Sequence, residues 1–78
     1  MIMNELEVKK HLLQQIAEVK ARLNGLREEL EIIRGLTYLS FSAKDVCYSW
    51  YGHEINYCEG RVREIEKAIE EINNNGNI

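Results

Sequence analysis

Residues 12–33 read LLQQIAEVKARLNGLREELEII, and the apolar positions in this stretch decide the fold. Leu12, Ile16, Val19, Leu23, Leu26, Leu30 and Ile33 recur at spacings that alternate four and three without a break. A helix turns once in about 3.6 residues, so this alternation holds the apolar side chains on one stripe and leaves the intervening charged residues outside. The same alternation returns at Tyr48, Tyr51, Ile55, Cys58, Val62, Ile65, Ile69 and Ile72. Two heptad seams predict two long helices.

End signals divide them. Asn4 suits the first N-cap, with Glu7 at the third helical position to complete a capping box and Met3 placed to staple onto Val8. Gly35 follows the last seam residue and suits the left-handed position that closes a helix, with Leu36 folding back onto Leu30. Ser42 reads as the second N-cap, with Asp45 at the third helical position and Phe41 and Val46 at the staple positions. The expected layout is a single domain over 1–78: a helix over about 5–34, a turn over 35–42, a helix over about 43–72 and a frayed polar tail over 73–78. Gly52 and Gly60 each weaken the second helix by ~1 kcal/mol relative to alanine, and a break is expected near Gly52 if anywhere.

So short a connection requires the helices to return antiparallel. Seam partners in such a pair share a constant sum of residue numbers. Leu12 with Ile69, Ile16 with Ile65, Val19 with Val62, Leu23 with Cys58, Leu26 with Ile55, Leu30 with Tyr51 and Ile33 with Tyr48 all add to 81. On one flank this register sets Lys20 and Arg27 on the side of Glu59 and Glu66. On the other it sets Arg22 near Arg61 and Glu29 near Glu54, an unfavourable flank.

Length and composition bound what such a hairpin can be. With 78 residues the chain is too short for a dinucleotide-binding fold or a barrel, and 45% hydrophobic residues with no proline make it too apolar for a disordered tail. A seam between only two helices leaves its side chains half open. The expected fold is therefore an all-α, coiled-coil-like antiparallel hairpin that pairs with itself, as a homodimer forming a four-helix bundle or as a higher helical oligomer. The net charge of −3 argues against nucleic acid as a partner, and no apolar run is long enough to span a membrane. Cys47 and Cys58 on one helix would stand ~16 Å apart, too far for a disulfide; unbridged thiols fit a cytoplasmic protein.

Chemistry is sparse. His53, Cys47 and Cys58 do not converge on one helix as zinc ligands, and His11 falls on an outward position. Ser40 and Ser42 have no histidine or acidic partner at a telling spacing, and no glycine-rich phosphate loop occurs. Neither catalysis nor a cofactor nor a metal is expected. What remains is a second stripe, Val46, Trp50, His53 and Tyr57, roughly opposite the seam, continued by Gly60 and joined at the turn by Tyr38 and Phe41. Its plainest use is packing between subunits; aromatic side chains also concentrate binding energy at protein interfaces. The expected function is a non-catalytic binding protein that docks on a larger protein through Val46, Trp50, His53, Tyr57, Tyr38 and Phe41, and inhibits or adapts it. The alternative is an oligomeric sponge for a nucleotide-like molecule, with Trp50 or Tyr57 stacking on a base, His53 hydrogen-bonding it and Arg61 meeting a phosphate. In style the short, proline-free, acidic hairpin with an asparagine-rich end resembles small accessory proteins of phages and mobile elements, which implies an accessory role.

Overall fold

A computed structural model describes residues 4–76. It contains two helices, α1 (Glu5–Gly35) and α2 (Phe41–Gly76), packed side by side in a rod of 58 × 20 × 16 Å. Residues 36–40 join them, and no strand occurs among the described residues.

Asn4 caps α1 as its position predicts: its side chain accepts the Glu7 N–H at 2.9 Å. Glu7 answers through the Asn4 side-chain amide, Nδ2 to Oε1 at 3.5 Å. The staple from Met3 lies outside the described residues. At the other end the expected left-handed Gly35 is corrected. No described residue has positive φ. Gly35 stays helical, Leu36 leaves at φ −78° and ψ 108°, and its N–H donates to the Ile33 carbonyl at 3.1 Å. A tightened last turn of this kind closes the helix without a left-handed residue. Lys44 Nζ then donates to the Arg34 carbonyl at 3.3 Å, so a cation from α2 satisfies one of the open carbonyls of α1.

The start of α2 is also corrected. Ser40, not Ser42, is the cap: its Oγ accepts the Ala43 N–H at 3.1 Å and its carbonyl accepts the Lys44 N–H at 3.0 Å. The helix thus begins two residues earlier than expected, Asp45 falls in its second turn, and Phe41 becomes its first residue. The proposed Phe41–Val46 staple is absent, since both side chains are largely exposed. Ser40→Ala is expected to lower stability by about 1 kcal/mol and Ser42→Ala to leave it nearly unchanged, read from urea denaturation midpoints. The helix runs unbroken past Gly52 and includes residues 73–76, which were expected to fray. No proline is present to break it, and asparagine costs at most about 0.7 kcal/mol per residue relative to alanine.

The core is a narrow seam. Leu23, Leu26 and Cys58 form a buried cluster with Val19, Tyr51 and Ile55 packed against it, and Ile65 is buried further along. The ion pairs on both sides bracket this seam. On one flank Lys20 meets Glu66 and Arg27 meets Glu59, each at 3.8 Å, and both pairs add to 86. On the other Arg22 meets Glu54 at 3.1 Å, a pair adding to 76. Midway between lies 81, the register of the seam. The unfavourable flank expected from the sequence is therefore resolved: Arg22 turns to Glu54 rather than Arg61, and Glu29 takes a hydrogen bond from Tyr51 instead. No described helix is long and apolar enough to cross a membrane.

Candidate functional site

Leu6, Leu13 and Ile32 are exposed on α1, and every exposed aromatic side chain among the large hydrophobics lies at the turn or in the first half of α2. At the tip of the hairpin Phe41 is 88% exposed and Tyr38 80%. Along the outer face of α2 follow Val46 at 71%, Trp50 at 52% and Tyr57 at 66%, with His53 exposed between the last two. Spacings of four, three and four put Val46, Trp50, His53 and Tyr57 on one face, whereas Phe41 stands ~14 Å from Trp50 along the axis. The predicted residues thus form two neighbouring groups, a tip and a stripe.

Two further groups place the stripe. The ring of Trp50 meets that of Tyr51 edge to face, with centroids 4.8 Å apart and planes at 84°. Tyr51 is itself held across the seam, its hydroxyl donating to Glu29 Oε2 at 2.8 Å. Trp50 is therefore propped on a side chain that belongs to the core, which limits its rotamers while leaving its outer face open. Spacing alone assigns Tyr51 to the seam, so this support was not apparent from the pattern. Ile32 was also missed. It is exposed on α1 at the height of Trp50, their numbers adding to 82, but lies about 150° round α1 from the seam and so faces away from the stripe on the other side of the rod. Its signal was present as an apolar residue beside the seam residue Ile33.

Electrostatics around the stripe are set by pairs. The hydrogen bond to Glu54 raises the pKa of Arg22, because the carboxylate accepts from the charged guanidinium. Arg61, the expected phosphate contact, donates to Glu64 at 3.2 Å along its own helix. The hydrogen bond to Glu29 raises the pKa of Tyr51 above the ordinary tyrosine value, because the phenol donates only while it keeps its proton. A folded-state pKa above the unfolded one means that this contribution is whole below about pH 10 and lost as pH rises through the folded value. Denaturation midpoints should therefore fall more steeply above pH 10 in the native chain than in Tyr51→Phe, and the tyrosinate absorbance of the variant should lack its last-titrating phase.

Cys47 and Cys58 are both free thiols, Cys58 buried in the seam. Among the described residues no three His, Cys, Asp or Glu side chains gather as metal ligands. Fold and site together define the chain as a two-helix antiparallel hairpin with an aromatic end. Comparisons with protein-family models, curated proteins and solved structures return no match.

Proposed function

We propose that this protein is a non-catalytic binding module that associates with itself and docks through its aromatic end on a larger protein, which it inhibits or adapts. The observation that carries this is the joint exposure of Tyr38, Phe41, Val46, Trp50 and Tyr57 over the turn and the half of α2 that follows it. Exposed tryptophan and tyrosine over a few turns of helix supply the anchors that interfaces use, and covering them removes apolar surface from water. Self-association is supported by the thinness of the seam, whose buried side chains among the described residues are Leu23, Leu26, Cys58 and Ile65. Capture of a nucleotide draws on Trp50, His53, Tyr57 and Arg61, but the engagement of Arg61 by Glu64 weighs against it. The test is capture of partners from the native host on the immobilised chain, with Tyr38→Ala/Phe41→Ala and Trp50→Ala/Tyr57→Ala as controls. Recovery of one partner that both folded double variants lose supports the assignment; unchanged recovery by both overturns it.

A further inference from the structure

The outward stripe of α2 is itself a heptad seam: Val46, Trp50, His53, Tyr57, Gly60 and Glu64 alternate spacings of four and three. At about 100° per residue it lies roughly opposite the seam that α1 covers, so α2 is built to be packed from both sides. From this spacing and the charges beside it we infer that the occupant of the outer seam is the same stripe of a second copy, antiparallel, in one particular register. This rests on the self-association proposed above and specifies its face; with the stripe covered by the second copy, Tyr38 and Phe41 at the tip are what remains exposed for the larger protein.

The observed α1–α2 pair supplies the rule, since its flanking ion pairs add to five more and five less than its seam partners. Applied to two copies of α2, a seam sum of 110 sets Trp50 over Gly60 of the second copy and His53 beside its Tyr57. One flank, at 115, then sets Glu54 opposite Arg61 of the second copy, twice by symmetry. Within the chain Glu54 holds Arg22 and Arg61 holds the exposed Glu64, so pairing between copies has Glu54 shared between two arginines and Arg61 exchanging one carboxylate for another. The other, at 105, sets Ser49 opposite Asn56 and Ser42 opposite Arg63. Sliding by one heptad either way is unfavourable. A sum of 103 brings Glu54 close to its own copy, and 117 does the same to Arg61. A parallel pair sets Glu54 against Ser49 and Arg61 against Asn56, with no attraction gained. Only the register at 110 joins unlike charges on the flank. The Glu54 of the second copy is nearer in height, ~3 Å away, and each Glu54 turns from it to Arg61 as Arg22 turns from Arg61 to Glu54 within the chain. It also gives Gly60 a use, because nothing lies within 4 Å of a Cβ built there and a tryptophan ring can settle on its bare backbone. The interface is isologous, each copy offering the same patch. Since the two seams of α2 face opposite ways, the assembly is an open row of four helices with α1 outermost, where the sequence suggested a closed bundle.

Charge exchange between copies tests this, with circular dichroism of each variant alone showing that loss of the Arg22–Glu54 or Arg61–Glu64 pair leaves the hairpin folded. In Glu54→Arg both flank pairs become arginine against arginine, and in Arg61→Glu both become glutamate against glutamate; each is expected to raise the dimer dissociation constant about tenfold or more. In an equimolar mixture the arginine introduced in the first variant faces the glutamate introduced in the second, and the remaining native Arg61 faces the remaining native Glu54. Sedimentation equilibrium of the mixture should therefore show native-like affinity, and native mass spectrometry an excess of heterodimer over homodimers. Gly60→Leu, which favours helix yet fills the seat of Trp50, should be a folded monomer by circular dichroism and mass. A native chain that is monomeric at micromolar concentration overturns self-association and this interface together. A native dimer whose affinity ignores all three variants, or variants that mixing does not rescue, overturns the face and register alone.

Discussion

Leu23→Ala is expected to remove about 2–5 kcal/mol, the range for truncating a buried leucine in a core that closes only partly over the cavity. The loss is severe here because a chain of this size draws only ~3–5 kcal/mol from its own core. Leu23 sits in the middle of the buried cluster, between Val19 and Leu26 on its own helix and facing Cys58. No second layer is present to collapse into the space. Leu26→Asp should leave no folded population, since a carboxylate at that depth has no partner and its desolvation exceeds what the seam holds. Glu18→Ala and Glu28→Ala, both on the outside, should stay within about 0.5 kcal/mol of the native chain. Circular dichroism without denaturant reads Leu26→Asp; urea denaturation at two protein concentrations measures the other three and separates folding from association, since only association makes the midpoint depend on concentration. A Leu23→Ala loss below ~1 kcal/mol would show that the seam is not where stability resides.

The seam could be read from the sequence because heptad spacing survives every local irregularity, including Gly25 and Gly52 in mid-helix. Its register could be read because one constant sum satisfied every layer, and the flanking ion pairs later bracketed that same value. What could not be read was whatever depends on a choice between near-equal neighbours. Ser40 and Ser42 are equally able to cap, and the path of the turn decides between them. Starting at Phe41 allows Lys44 to reach the Arg34 carbonyl at the end of α1. Arg22 has Arg61 on one side along the axis and Glu54 on the other, and its long side chain takes the carboxylate. Heights along the axis, used alone, selected the wrong partner. In the aromatic stripe the spacing of Val46, Trp50, His53 and Tyr57 was legible, and so was its place opposite the seam. The support of Trp50 by Tyr51, and of Tyr51 by Glu29, was not, because it runs sideways from one seam of α2 to the other.

Tyr38→Ala with Phe41→Ala should separate binding from folding more cleanly than any other change. Both side chains are nearly free of contacts within the chain, so their loss should leave the denaturation midpoint within about 0.5 kcal/mol of the native value. They also lie outside the paired layers of the inferred dimer, which begin at Val46, so the mass should be unchanged. If the tip is the docking surface, truncating two aromatic anchors should cost at least ~2 kcal/mol of partner affinity, which is roughly thirtyfold. Dimer geometry adds a second effect. In the antiparallel register Phe41 of one copy stands level with Ile69 of the other, so the two tips lie ~42 Å apart at opposite ends of the row. A partner presenting two sites at that separation is held by both, and loss of the dimer alone then lowers its avidity even where both tips are intact. Gly60→Leu should therefore weaken capture of a multivalent partner and spare that of a single-site fragment. The tip variant should weaken both, and titration calorimetry against fragment and whole partner tells the two apart. Equal affinities for native chain and tip variant would move the docking surface away from Tyr38 and Phe41 and leave the dimer interface untouched.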